Sequence, residues 1–289
     1  MQRLMRHFAH GTQQTVTGGR IGCEVETIFV FADTGQPISL AVSRAIRAEV
    51  NGRPRGCRLM IDLSRATMEL AIGPCRSFSQ LMELKARSLV WLYGAAERYG
   101  AVPVFAPTIK WDGPLVDVSS DPRDQAWLNL DGRIALEHLV CASEQLTVDV
   151  HPHDAVAIIN QLWKAGIHGL DYAANDRCWR NYIATSTAGY APTRYAGPMA
   201  FEEGIGDIAG YVGELCLHDV VMHEGQEVRL DPAAHASYDI DLFLRSVWWH
   251  YRLRRYGDSL ALGLRPFARR DDAKIERLWS SHLATIFGR

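Results

Sequence analysis

The sequence predicts a single α+β domain, with an antiparallel or mixed sheet and helices packed on one face. Three observations carry this. Four β-prone segments alternate apolar and polar residues two by two, as strands with one buried face do. Residues 77–99, SFSQLMELKARSLVWLYGAAERY, instead repeat apolar residues at helical spacing. No Pro/Gly/Ser-rich linker divides the 289 residues into two complete halves.

Taken in order, residues 21–31 read as the first strand and 33–60 as a loop-like stretch. A second strand follows at 66–72. The 77–99 helix has Ser77 as its cap and Leu81, Leu84, Leu89, Leu92 and Ala96 as its stripe. Strands are expected at 101–106 and 144–150, with a loop-like 107–125 between them. Pro152 and Asp154 open a helix to about Ala165, which Gly166 and Gly169 end, and His151 and His153 read as part of that start. After a loop-like 172–197, a helix is expected over 198–216, weakened by Gly204, Gly206, Gly210 and Gly213 and broken rather than continuous. Residues 217–238 read as loop, 239–253 as helix with Trp248 and Trp249 in the core, and 258–265 as strand. A last helix, 271–287, is capped by Asp271 or Asp272.

Composition narrows the function. With 31 basic and 33 acidic residues, the net charge of -2 gives no electrostatic footprint for nucleic acid or an anionic membrane. No apolar run reaches bilayer length, and the N-terminal MQRLMRHFAHGTQQ lacks a signal-type apolar stretch. The six cysteines, without a CxxC pair, read as reduced thiols of a cytoplasmic protein.

The polar faces of the strands point to chemistry. Glu24 and Glu26 oppose Cys23, Val25 and Thr27; Thr67, Glu69 and Ala71 oppose Met68, Leu70 and Ile72. Thr147, Asp149 and His151 oppose Leu146, Val148 and Val150. Ser259, Ala261, Gly263 and Arg265 oppose Leu260, Leu262 and Leu264. A half-solvated sheet also alternates, and edge strands carry charges against aggregation, so both readings stay open. The second faces, however, hold acids, small residues and an arginine rather than long mixed polar chains. Carboxylate oxygens suit Mg²⁺, small residues leave room, and arginine grips phosphate or carboxylate. No GxxxxGK[ST] or GxGxxG motif is present, which argues against P-loop and Rossmann sites.

Five collinear segments resemble the glutamate–cysteine ligase and carboxylate–amine ligase family. They are GCEVE (22–26), DLSRATMELAIGPC (62–75), RNYIATSTAG (180–189) and, more weakly, LTVDVH (146–151) and WWHYRLRRYGDSLALGLRP (248–266). The resemblance implies a glutamine-synthetase-like fold: a curved, mainly antiparallel sheet with helices on one face and an active-site funnel on the other. It implies an enzyme that uses ATP and Mg²⁺ to activate a carboxylate as an acyl phosphate, which an amine converts to an amide. By matched position, Glu24, Glu26, Asp62 and Glu69 are the metal ligands. Asp149, Arg180 and Arg265 are the catalytic candidates, and Arg180, Thr185, Thr187 and Arg252 the nucleotide-binding ones. Gln145 and His151 are weaker candidates on the Asp149 strand, and Lys110, in PTIKWDG, is a minor candidate for facing the nucleotide.

Two departures stand out. Ala261 or Gly263 occupies the place of the family's late-strand glutamate, and Thr147 and Asp149 replace histidines of many relatives. The expected partners are small carboxylate and amine substrates, a glutamate γ-carboxylate foremost, with a homo-oligomer left open. A catalytically degenerate binding protein and a metal-dependent amide hydrolase are the alternatives.

Overall fold

A computed structural model describes residues 2–9, 20–53, 56–62, 64–109, 120, 125, 141–166, 195–198, 200–217, 220–223, 226–229, 240, 244 and 247–287. Its centre is a seven-stranded sheet in which every pairing is antiparallel. The strands are β1 (Ile21–Phe31), β2 (Cys57–Ile61), β3 (Thr67–Cys75), β4 (Ala101–Val104), β5 (Ser143–Asp149), β10 (Tyr251–Tyr256) and β11 (Ser259–Ala268). They lie in the order β10-β11-β5-β1-β3-β2, and β4 pairs with the far half of β1. Two short pairs stand apart: β6 (Tyr195–Ala196) with β9 (Trp248–Trp249), and β7 (Val220–His223) with β8 (Gln226–Arg229).

The helices are α1 (Gln2–Ala9), α2 (Leu40–Asn51), α3 (Phe78–Arg98), α4 (Pro152–Lys164), α5 (Ala200–Glu203), α6 (Ile208–Cys216) and α7 (Asp272–Phe287). Their starts follow from local chemistry. Ser77 accepts from Gln80 N at 3.1 Å, His151 from His153 N at 3.2 Å, and Asp271 from Lys274 N at 3.0 Å. The 198–216 segment does break, into α5 and α6.

One face of the sheet forms the core. Val25, Phe29, Leu70, Leu146, Leu262 and Leu264 pack with Leu81, Leu89 and Leu92 of α3, Ile159 of α4 and Trp279 of α7. Full burial of each such aliphatic side chain stabilises by about 1.5–3 kcal/mol. At the β10 end, rings of Phe201, Tyr211 and Trp249 meet at centroid distances of 5.2–6.4 Å.

Both outer strands are capped by side chains. The Asn51 carboxamide accepts from Leu59 N at 2.7 Å and donates to Leu59 O at 3.0 Å on β2. On β10 the Tyr211 hydroxyl accepts from Leu253 N at 3.0 Å.

Three expectations need correction. Within the expected 239–253 helix, Trp248–Trp249 and residues 251–253 are strand, because Tyr251 and Leu253 reach the core while Arg252 and Arg254 face away. The Gly257 turn (φ +61°) then folds β10 back onto β11, and that pairing decides the conformation. The loop-like 33–60 contains α2 and β2, and 217–238 contains the β7–β8 hairpin. Among the described residues, no helix is long and apolar enough to cross a membrane.

Candidate functional site

The second face of the sheet carries the polar residues, and the register arranges them in rows across the strands. In one row Glu26 of β1 lies directly opposite Glu69 of β3, with Met60 of β2 beyond. The next row runs Gln145, Glu24, Ala71 and Arg58. A third runs Arg252, Gly263, Thr147 and Gly22, and a fourth Arg254, Ala261 and Asp149. β1 lies between β3 and β5, so Glu24 and Glu26 are not edge-strand charges.

Glu26 is held by β5. Ser143 donates twice to its Oε2, from N at 2.8 Å and from Oγ at 2.9 Å, and Gln145 Nε2 donates to Oε1 at 3.2 Å. Arg265 Nη1 donates to Gln145 Oε1 at 2.6 Å, which brings its guanidinium to the acidic group. Asp62 sits in the β2–β3 turn, its N donating to Thr67 O at 3.0 Å.

Fully ionised, these acids would carry more negative charge than the surroundings neutralise. Burial and then the Asp62 charge push the Glu26 carboxyl up to about 8, against the Ser143 hydrogen bonds and the Arg265 charge. Burial, then Glu24, Asp62 and Glu26, push Glu69 well above the ordinary carboxylate range. Like charges directly opposed across strands are destabilising.

Beside the acids lies a cleft of about 370 Å³. Gly22, Ala71, Gly73 and Thr147 leave it open, Glu24 is shared with the acidic group, and Arg20, Arg58, Asp149 and Tyr256 line it too. Asp149 is held by Arg20, whose N and Nε donate to Oδ2 at 3.0 and 3.4 Å, while Arg20 Nη2 reaches Ser259 Oγ at 2.5 Å.

The structure thus gathers Glu24, Glu26, Asp62, Glu69, Gln145 and Arg265 on one face, with Asp149 across the cleft. Arg252 shares the face but is 3% exposed, donating to Leu244 O at 2.9 Å and Val247 O at 2.7 Å. Burial and the nearby Arg265 and Arg254 guanidiniums lower its pKa well below the arginine norm. Its guanidinium secures the preceding segment. His151 caps α4. Arg180, Thr185, Thr187 and Lys110 lie outside the described residues. Sequence reasoning missed Ser143, Arg20, Arg58 and Tyr256. Ser143 had a signal, since it stands two residues before Gln145 on the same face.

The oxygen-only donor set suits a hard divalent cation, which would favour the ionised form of these acids. Among the described residues, no group of three or more His, Cys, Asp or Glu stands close enough together to hold a metal ion.

No protein-family model matches the sequence, and no curated protein matches it. Among solved structures, the chain is similar to glutamate–cysteine ligase from Francisella tularensis in complex with AMP. The TM-score is 0.47 at 10% identity, over 89% of this chain and 62% of that one. It is also similar to a bifunctional glutathione synthetase from Pasteurella multocida, with a TM-score of 0.46 and 13% identity, over 99% of this chain and 40% of that one. The chain therefore spans less than two thirds of the length of either.

Proposed function

We propose that this chain is an ATP- and Mg²⁺-dependent carboxylate–amine ligase. It forms an amide through an acyl phosphate, and its acid substrate is glutamate, through the γ-carboxylate, or a related amino acid. One observation carries the reading: Glu24, Glu26, Asp62 and Glu69 share a sheet face with Arg265, beside a cleft floored by small residues. In this reading Mg²⁺ would be held by one or two of the carboxylates at Glu24, Glu26, Asp62 and Glu69 together with waters and substrate phosphates, and would supply neutralisation of phosphate charge when bound. Arg265 offsets negative charge as the acid oxygen bonds to phosphorus and ADP leaves. Ser143 and Gln145 orient Glu26, and Asp149 faces an amine in the cleft.

The test is ADP release that requires both an acid and an amine. Glu69→Gln is expected to lower turnover by about 100-fold or more, beyond what loss of an outer-shell partner costs. Folded protein that yields no ADP with broad acid and amine mixtures in Mg²⁺ sinks the proposal.

A second reading, a non-catalytic binding protein of ligase ancestry, is favoured by Ala261 and Gly263. These stand opposite Asp149 and Thr147 where the resemblance leads one to expect an acid. Nucleotide or amino-acid binding without turnover, indifferent to Glu69→Gln, selects it.

A further inference from the structure

Behind the acidic face, between the sheet and helices α3 and α7, lies a second group of charges. Glu144 and Arg269 are 0% exposed and Lys85 1%. Lys85 Nζ is 2.9 Å from Glu144 Oε2 and 2.9 Å from Asp272 Oδ1. Arg269 Nη1 donates to Glu144 Oε1, and its Nη2 donates to the Tyr93 hydroxyl at 2.6 Å. Well-packed apolar residues of similar volume usually stabilise a core as much as such an ion cluster, or more. Stability alone therefore does not explain these charges.

Their position does. Glu144 stands on β5 between Ser143 and Gln145, whose side chains turn to the opposite face and bond Glu26. On β11 the pairing steps from Leu264↔Leu146 to Phe267↔Glu144, so Arg265 and Pro266 together oppose Gln145. That is a bulge, which re-aims side chains. The side chain re-aimed is Arg265, onto Gln145 Oε1. Beyond the bulge, Arg269 N donates to Ala142 O at 3.0 Å, so the ion cluster grips both strands where they leave regular register.

We propose that Lys85, Glu144 and Arg269 are positioning residues: they fix the β11 bulge that aims Arg265 and hold the Ser143 donors on Glu26. The effect on turnover rests on the ligase reading; the geometric claim does not. The decisive variant is the triple replacement Lys85→Met, Glu144→Leu, Arg269→Met, which substitutes apolar volume for the charges. The fold is expected to survive, as read by thermal melting. Amide exchange at Ser143, resolved by NMR, is expected to quicken about tenfold while Leu146 and Val148 stay protected. In the ligase assay kcat is expected to fall about 10- to 100-fold with KM for the nucleotide little changed. Tyr93→Phe, which removes one bond to Arg269, moves both readouts the same way by a smaller factor, and it decides the matter if the triple variant does not fold. Wild-type exchange at Ser143 in the folded triple variant, or in Tyr93→Phe when that variant must decide, overturns the proposal. So does wild-type kcat in the folded triple variant. A wild-type protein without turnover overturns the ligase reading alone, because the exchange measurement still judges the geometry.

Discussion

Glu26→Gln, followed across pH without divalent cations, probes the acidic face most directly. In the folded chain the Glu26 carboxyl is raised from its ordinary 4.5 to about 8. The folded state therefore binds more protons than the unfolded chain between those values, so stability falls as pH rises through that window. It is fully present below about 4.5 and the loss is complete above about 8. Each tenfold change in proton affinity corresponds to about 1.4 kcal/mol, so the loss from this one group is about 5 kcal/mol. Against a total stability of about 5–15 kcal/mol, that is large. Glutamine keeps the shape and has no proton to lose. Urea unfolding in EDTA at pH 5, 6, 7, 8 and 9 should show wild type losing ground steadily to the variant and ending several kcal/mol less stable. Millimolar Mg²⁺ should restore much of the deficit in wild type and little in the variant, since a cation at 100 times its Kd adds about 2.7 kcal/mol. A wild-type-minus-variant difference that stays flat from pH 5 to 9 refutes the claim that buried, opposed carboxylates strain this face.

Other consequences are simpler. Ser77→Ala removes the α3 cap and should cost about 1 kcal/mol, seen as a lower urea midpoint with an unchanged slope. Gly73→Ala should cost more, about 1–3 kcal/mol by calorimetry, because φ is +109° and the new Cβ would meet Gly22 Cα and Ile21 O at 3.0 Å. Lys85→Met alone should destabilise by about 3–5 kcal/mol in the same measurement, since it breaks a buried pair instead of replacing the whole cluster.

Much of this protein is legible in its residues, and the boundary of legibility has physical causes. The alternation in β1, β3, β5 and β11 survives because each strand has one face in the core. The caps at Ser77, His151 and Asp271 are local and so are readable locally. Residues 248–253 misled because apolar residues there satisfy helical spacing as well as alternation, and for 251–253 only pairing with β11 chooses between them. α2 and β2 were passed over because they are short and interrupted by arginines at 44, 47 and 58. The acidic site was legible because its residues share strand faces. The buried ion cluster was not, since Lys85, Glu144 and Arg269 are far apart in sequence. Its trace was present nonetheless: Glu144 precedes Leu146, Val148 and Val150 on their own face, and Lys85 stands four residues after Leu81.

Asn51 and Tyr211 bear on how copies of this chain can meet. A neighbour adding a strand to β2 would have to displace the carboxamide that already bonds both backbone groups of Leu59. One adding to β10 would find the Leu253 amide taken by a phenol. Each of these side chains stands in for a missing strand at one residue, giving the rim of the sheet a self-satisfied end. Growth of the sheet into ribbons or fibrils is thereby opposed at Leu59 on β2 and at Leu253 on β10.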